Sequence, residues 1–395
     1  MTFSRTTRTV RSGLAKDTQF GAVVPPLHLT STYTFDGFEG KRQYDYTRSG
    51  NPTRDALGHA LADLEGGHGG TVTGSGMSAI TLVCQLLKPG ELLIAPHDCY
   101  GGTHRLLSTL HDRGHFQVRF VDQTDAKALQ LAFAERPRMI LVETPSNPLL
   151  RITDFELVAR LCRLHETLFV ADNTFLSPAW QTPIEHGADL VIHSTTKYLN
   201  GHSDVVGGAV IARTEALAEE VDWWGNCMGL TGAPFDSYLT LRGLRTLQAR
   251  LRSHEENAHV IADLLDKHAQ VEQVYYPGLA DHPGHAIAAR QQRGFGAMLS
   301  FELAGGRDAV VAFLDGLQHF FLAESLGGVE SLVAHPATMT HAAMDEVARR
   351  KAGITDSLLR LSVGIEHPDD LAADIAAGLE RAATAAARSR SVATG

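Results

Sequence analysis

A lysine follows a short apolar run that has the composition of a buried strand. Residues 190–192 are Leu-Val-Ile, and after His193 come Ser194, Thr195, Thr196 and then Lys197. A lysine in a loop is most often a surface residue. Buried lysines, however, lose their charge readily and are common Schiff-base formers. The segment therefore makes Lys197 a candidate reactive amine, with the hydroxyl groups of Ser194 and Thr196 beside it.

A second candidate is an acid that ends another apolar run. Residues 168–171 are apolar, and Asp172 follows them directly, 25 residues before Lys197. Open α/β sheets bind ligands at the carboxyl ends of their strands. The pattern therefore indicates a carboxylate at a ligand-binding edge, although a helix cap or a loop acid would show the same pattern.

A glycine-rich turn precedes a third apolar segment. Gly74, Gly76 and Met77 come just before a helical pattern, where unpaired N–H groups and the helix dipole favour an anion such as phosphate. The turn also fits the G-x-G-x-x-A dinucleotide fingerprint, with Asp98 about 22 residues beyond it. A nicotinamide-dependent oxidoreductase is therefore an alternative, and so is a simple tight turn between strand and helix.

These three features together match the requirements of pyridoxal 5′-phosphate (PLP). PLP needs a lysine for its aldehyde, an acid for its pyridinium nitrogen and a phosphate cradle, here the glycine turn with Ser194 and Thr196. A nicotinamide cofactor leaves Lys197 and the neighbouring hydroxyl groups unexplained. The combination therefore favours PLP.

The elements that must position these residues alternate along the chain. Between about residues 60 and 215, short apolar runs alternate with helical patterns, which is typical of a mostly parallel sheet covered by helices. A capping box at Ser253-x-x-Glu256 predicts the start of a helix and of a smaller α/β unit. We therefore divide the 395 residues into an irregular N-terminal arm (1–60), a large cofactor domain (61–252) and a C-terminal domain (253–395).

Composition narrows the class of protein. Lysine and arginine total 35 against 45 acids, so the net charge of −10 disfavours nucleic-acid and membrane partners, which need a basic face. The chain has neither a secretory pattern nor 18 consecutive apolar residues, which predicts a cytoplasmic protein. Four cysteines form no CxxC pair, and the histidines lack partners at metal-ligand spacing, so neither a disulfide framework nor a metal site is expected.

The sequence resembles the PLP-dependent enzymes of Cys/Met metabolism, the transsulfuration enzymes, from about residue 8 to 382. The segment 189–203 looks like the pyridoxal-lysine signature of that family, and further blocks match in order at 46–54, 75–79, 100–102, 143–148 and 323–328. The resemblance implies the α/β architecture of PLP-dependent transferase fold type I, similar to aspartate aminotransferase.

The resemblance also implies roles for individual residues around the cofactor. Lys197 would bind PLP and shuttle protons, Tyr100 would stack on the ring and assist, and Asp172 would hold the pyridine nitrogen. The phosphate would contact Gly76, Met77, Ser194 and Thr196, and also Tyr46 and Arg48 of a neighbouring subunit in a homotetramer built as a dimer of dimers.

Substrate-binding residues are implied in the same way. Arg360 lies inside the apolar run 358–363, where a charge is costly unless it is paired, and its planar fork suits a carboxylate. The resemblance assigns it the substrate α-carboxylate. It also implies that Ser325 and Asn147 support the site. Asp45 and Glu324 would form an acidic pair that binds the ammonium group of cysteine, and Arg48 and Arg105 would bind an acidic leaving group.

The activity implied is a γ-replacement that forms L-cystathionine from L-cysteine and an O-acylhomoserine, with O-succinylhomoserine as the expected substrate. Gly102 stands where methionine γ-lyases place a cysteine, and β-bond lyases tend to carry aromatics near Glu324, so both branches are disfavoured. Cystathionine γ-lyases share the glutamate and remain an alternative, as do O-acylhomoserine sulfhydrylases. From other classes, a nicotinamide-dependent oxidoreductase and a binding protein without turnover also remain.

Overall fold

The computed structural model describes residues 3–15, 17–342 and 346–393, and it contains two sheets. The larger sheet has seven strands in the order β1-β7-β6-β5-β4-β2-β3. Strand β7 pairs antiparallel with both β6 and β1, and the other neighbouring strands pair in parallel. The strands are β1 (Gly69–Thr73), β2 (Leu92–Pro96), β3 (Gln117–Val121), β4 (Met139–Glu143), β5 (Leu168–Asp172), β6 (Leu190–His193) and β7 (Gly208–Ala212).

Helices cover both faces of this sheet. Its strands are apolar on both faces because alternate residues enter separate cores: Val170 and Ile192 on one side, Phe169 and Val191 on the other. The helices up to residue 266 are α1 (Arg5–Val10), α2 (Pro52–Glu65), α3 (Gly76–Cys84), α4 (Gly101–Asp112), α5 (Ala126–Phe133), α6 (Phe155–His165), α7 (Ser177–Trp180), α8 (Glu215–Met228), α9 (Pro234–Leu244) and α10 (Leu247–Asp266).

The smaller sheet lies in the last third of the chain and has five strands in the order β10-β11-β12-β9-β8. Its central strand carries Arg360, whose register partners are Ala334 on one side and Ser300 on the other. The remaining elements are β8 (Val271–Tyr275), α11 (His285–Gln291), β9 (Met298–Leu303), α12 (Gly306–Leu314), β10 (Phe321–Leu322), β11 (Leu332–Ala334), α13 (Glu346–Ala352), β12 (Leu358–Ser362) and α14 (Pro368–Ala393).

The α/β fold with a mostly parallel large sheet is confirmed, but the helix start predicted at Ser253 is wrong. Helix α10 begins at Leu247, because buried Leu247 and Leu251 extend its apolar stripe upstream of the capping-box pattern. The predicted division between residues 252 and 253 therefore falls inside a continuous helix. The domain limits themselves stay a prediction.

Where it is described, the arm predicted over residues 1–60 is irregular between α1 and α2, but α2 (Pro52–Glu65) crosses its predicted end at residue 60. Between α1 and α2 it contributes a single isolated bridge, Thr32 to Tyr46, and it exposes large apolar side chains, including Phe20 and Phe38. Among the described helices, none is both long and apolar enough to cross a membrane.

Candidate active site

A cavity of about 400 Å³ opens at the carboxyl edge of the large sheet. Its walls come from the ends of β4, β5 and β6, the start of α3, the loop before β11, and strand β12. Eleven of the residues singled out in the sequence line it: Gly76, Met77, Tyr100, Asn147, Asp172, Ser194, Thr196, Lys197, Glu324, Ser325 and Arg360.

Lys197 lies in the turn after β6 and reaches across the cavity. Its Nζ donates a hydrogen bond of 2.6 Å to the Oγ of Ser325, which lies on the opposite wall. Burial, reinforced by the charge of Arg360, lowers the pKa of Lys197 to about 8. The amine therefore becomes neutral, and able to accept a proton, at a mildly alkaline pH.

The start of α3 forms a tight cradle with the turn after β6. The Oγ of Ser75 caps the helix by accepting the N–H of Ser78 at 3.0 Å. A Cβ placed on Gly76 would lie 2.8 Å from the Cβ of Ser194, so the two segments approach closely only because residue 76 has no side chain. The cradle thus combines the backbone at a helix start with the nearby hydroxyl of Ser194, which suits an anion.

Two carboxyl groups lie side by side on the cavity floor. Asp172 ends β5 and is the register partner of Glu143, which ends β4. The backbone N–H of Thr174 donates to Oδ1 of Asp172 at 3.0 Å. Burial raises the pKa of Asp172, so a cationic nitrogen placed against this carboxylate would be favoured.

Arg360 presents a fixed, buried guanidinium. Its Nη1 donates to Oδ1 of Asn147 at 2.8 Å, and its Nη2 donates to the carbonyl oxygen of Ser325 at 2.8 Å. Its buried Nε has no hydrogen-bond partner among the described residues. The protein thus holds two of the five N–H donors, and because Arg360 lines the cavity its remaining donors suit a carboxylate ligand.

Comparison with known proteins identifies the family. The sequence profile of the family "Cys/Met metabolism PLP-dependent enzyme" matches residues 6–380. The chain belongs to this family. The cystathionine gamma-synthase of Escherichia coli strain K12 is 56% identical over 383 residues, covering 97% of this chain and 99% of that protein.

Solved structures of related proteins agree with this assignment. Cystathionine gamma synthase from Xanthomonas oryzae pv. oryzae, solved in complex with cystathionine, has a TM-score of 0.97 and 62% identity and covers 98% of this chain and 100% of its own. Cystathionine gamma-lyase from Lactobacillus plantarum, complexed with L-serine, has a TM-score of 0.93 and 42% identity, with 96% and 99% coverage.

As a Cys/Met metabolism enzyme the protein is PLP-dependent, and the cavity fits that cofactor. Lys197 would hold the aldehyde carbon, Asp172 the pyridine nitrogen, and the cradle at Gly76 and Ser194 the phosphate. The fit rests on the buried amine, the buried acid and the close approach that a Cβ at residue 76 would block.

Four predicted residues lie outside the cavity of their own chain. Asp45 forms an ion pair with Lys41 at 2.9 Å, and Arg48 donates to the carbonyl and side-chain oxygens of Asn226. Tyr46 and Arg105 are exposed. The structure of a single chain does not bring them to the site, so their roles stay predictions.

Sequence reasoning missed cavity residues whose signals were present. Glu143 lines the cavity and ends an apolar strand as Asp172 does, a signal by which it could have been found. Thr174 and Thr340 also line the cavity. The hydroxyl of Thr174 accepts the N–H of Ser194 at 2.9 Å and so joins the loops after β5 and β6.

The dinucleotide alternative for the glycine turn finds no support in the fold. Among the described strands, β1 is at the edge of the sheet and pairs only with antiparallel β7, so the turn does not open a unit of neighbouring parallel strands. Asp98, the acid that would bind a ribose, is buried and accepts from Ser146 at 2.7 Å and Arg151 at 2.9 Å.

Proposed function

We propose that the protein catalyses γ-replacement: it joins the thiol of L-cysteine to an O-acylhomoserine and forms L-cystathionine. In this reaction the Cγ–O bond breaks, an S–Cγ bond forms, and the acyl group leaves as a carboxylic acid. The observation that carries the proposal is that Lys197, Arg360 and Glu324 line one cavity, where the charges of Arg360 and Glu324 both act on the pKa of Lys197. The likeness to cystathionine gamma-synthases supports it.

PLP, when bound, supplies an electron sink beside the substrate nitrogen. Lys197 is the group of this chain placed to move protons, because its lowered pKa of about 8 lets the amine both accept and return a proton at mildly alkaline pH. Its Nζ would take the proton from the substrate Cα and then act at Cβ. The exposed phenol of Tyr100, at the cavity wall, would assist.

Substrate orientation would fall to Arg360. Since Asn147 and Ser325 hold two of its donors, the guanidinium is fixed before the substrate α-carboxylate arrives. Glu324 lines the same cavity and would receive the ammonium group of the incoming cysteine, with Asp45 as its partner in that role.

We propose that the acyl group is succinyl. A succinyl group carries a free carboxylate, which a positively charged side chain would bind. Arg48 and Arg105 are the residues proposed for that contact. Arg105 is exposed and lies in the first two turns of α4, the helix that begins directly after Tyr100.

A homotetramer built as a dimer of dimers is proposed, acting in the cytoplasm on small amino-acid substrates. The exposed apolar side chains of Phe20 and Phe38 would be covered by a neighbouring chain. Tyr46 and Arg48, which lie outside the cavity of their own chain, would then complete the phosphate site of the neighbour.

Product identification by mass spectrometry tests this proposal. The PLP-loaded protein, given O-succinylhomoserine and cysteine, should produce cystathionine and succinate. In a parallel incubation it receives cystathionine alone. Rapid release of 2-oxobutanoate and cysteine there, with no synthesis in the first reaction, would assign the protein to the γ-lyases instead.

A further inference from the structure

The carboxylate of Glu143 connects two walls of the cavity. Its Oε2 accepts the backbone N–H of Tyr100 at 3.1 Å, and its Oε1 accepts the backbone N–H of Asn147 at 3.0 Å. Tyr100 opens α4, and Asn147 holds the guanidinium of Arg360. One buried side chain thus anchors both the predicted ring-stacking residue and the residue that orients the substrate-binding arginine.

A carboxylate suits this position better than an amide. It offers two acceptor oxygens and no donor, which matches the two N–H groups that point at it. A glutamine of the same shape would place its NH₂ group against one of these N–H donors and so lose one of the two anchors.

The charge of Glu143 also has a consequence for a bound ligand. Its register partner is Asp172. The other charged or titratable groups that act on these two residues are Asp98, which is paired with Arg151, His193, which is paired with Glu65, and Arg360 on β12. Neither Glu143 nor Asp172 forms an ion pair with a side chain of the described residues. Burial and the neighbouring Asp172 raise the pKa of Glu143 well above its ordinary range, and burial also raises the pKa of Asp172. A ligand that brings positive charge would therefore favour the ionised form of both carboxyl groups, and they in turn favour the cationic form of the ligand.

We propose that Glu143 is a positioning residue that fixes Tyr100 and Asn147 and places a second carboxyl group beside Asp172, which favours the cationic form of the bound cofactor. This inference rests on the proposed function, because it takes the cavity as the PLP site. It assigns no contact between Glu143 and the substrate.

Two substitutions separate anchoring from charge. Glu143→Gln removes the charge and one acceptor, whereas Glu143→Asp keeps the charge but withdraws both oxygens by one methylene. Glu302→Gln is the matched control, since Glu302 is a half-buried strand glutamate that accepts from Tyr275 and lies outside the cavity.

The first readout is the pH titration of the visible absorbance of the PLP-loaded protein. Glu143→Gln should lower the midpoint by about one pH unit, because a nearby anion that stabilised the cationic form has gone. Glu143→Asp and Glu302→Gln should keep the wild-type midpoint. A purely structural role would leave the midpoint unchanged in all three variants.

The second readout is steady-state kinetics with O-succinylhomoserine. Both substitutions at residue 143 should raise KM and lower kcat/KM by about 10²-fold, since displaced site residues misplace the substrate. A wild-type protein that takes up no PLP would instead contradict the proposed function.

The proposal itself is overturned if the wild type binds PLP while Glu143→Gln keeps both the midpoint and the KM. Should Glu143→Gln fail to fold, Glu143→Asp decides the anchoring role: unchanged KM and kcat in that variant would overturn the proposal.

Discussion

The Nζ of Lys197 lies 2.6 Å from the Oγ of Ser325, although the two residues are 128 positions apart in the chain. Ser325 has a positive φ of 83°, a left-handed conformation that is uncommon for a residue with a side chain. Strained residues of this kind persist where the surrounding structure holds them, often at functional sites. The contact joins the loop before β11 to the turn after β6, and so closes the cavity around the amine.

The lowered pKa of Lys197 predicts how PLP uptake depends on pH. An amine attacks an aldehyde only when neutral, that is, above its pKa, so the rate of uptake by the PLP-free protein should rise with pH around a midpoint near 8. The absorbance change in stopped-flow mixing measures this rate. Free lysine, with a pKa of about 10.4, is the comparison. A midpoint near that of free lysine would contradict the burial of this amine.

We predict that PLP binding requires the absence of a side chain at Gly76. Gly76→Ala should weaken PLP affinity about tenfold or more, because a Cβ only 2.8 Å from the Cβ of Ser194 costs about 1–3 kcal/mol in displaced structure. Gly74→Ala is the matched control, since a Cβ there meets only the carbonyl oxygen of Thr231 at 3.7 Å. Titration of each PLP-free variant with PLP gives the affinities. Equal affinities in the two variants would show that the close approach does not matter.

We predict that substrate binding requires the planar guanidinium group of Arg360 and not only its positive charge. Arg360→Lys should lower kcat/KM for O-succinylhomoserine roughly 10–100-fold, because the ammonium group loses a charged hydrogen bond worth about 1.5–3 kcal/mol. Steady-state kinetics measure the effect, with the exposed Arg307→Lys on α12 as the control. A variant as active as the wild type would remove Arg360 from substrate binding.

We predict that replacing Glu324 affects the KM for cysteine more than the KM for O-succinylhomoserine. Glu324→Ala should raise the KM for cysteine about tenfold, since one charged hydrogen bond is lost, and should change the KM for O-succinylhomoserine much less. Varying each substrate at a saturating level of the other gives both constants. Glu272→Ala, on an exposed position of β8, is the control. Equal increases for the two substrates would mean that Glu324 does not select cysteine.

Local pattern was sufficient to predict the part of the site that lies at strand ends. Asp172 and Lys197 follow apolar runs, and parallel strands bring their carboxyl ends to one edge, so the two residues had to be near each other. Arg360 was predicted because a charge inside an apolar strand needs a partner, and the structure supplies Asn147.

The rest of the site depends on contacts that no local pattern encodes. The loop that carries Ser325 meets Lys197 through a hydrogen bond between residues 128 positions apart, which spacing along the chain does not reveal. The capping-box pattern at Ser253 misled because the same residue types are accommodated inside a helix when an upstream apolar stripe extends it. Asp45 and Arg105 were assigned by resemblance, and a single chain leaves them outside the cavity.

The central claim, that the amine of Lys197 binds PLP, is tested most directly by borohydride reduction of the PLP-loaded protein and peptide mapping by mass spectrometry. The chain has seven lysines, so the site of modification discriminates among them. We predict a yellow protein and a single pyridoxyl mass on the peptide that contains Lys197. A colourless protein, or a pyridoxyl group on another lysine with Lys197 unmodified, would contradict the account.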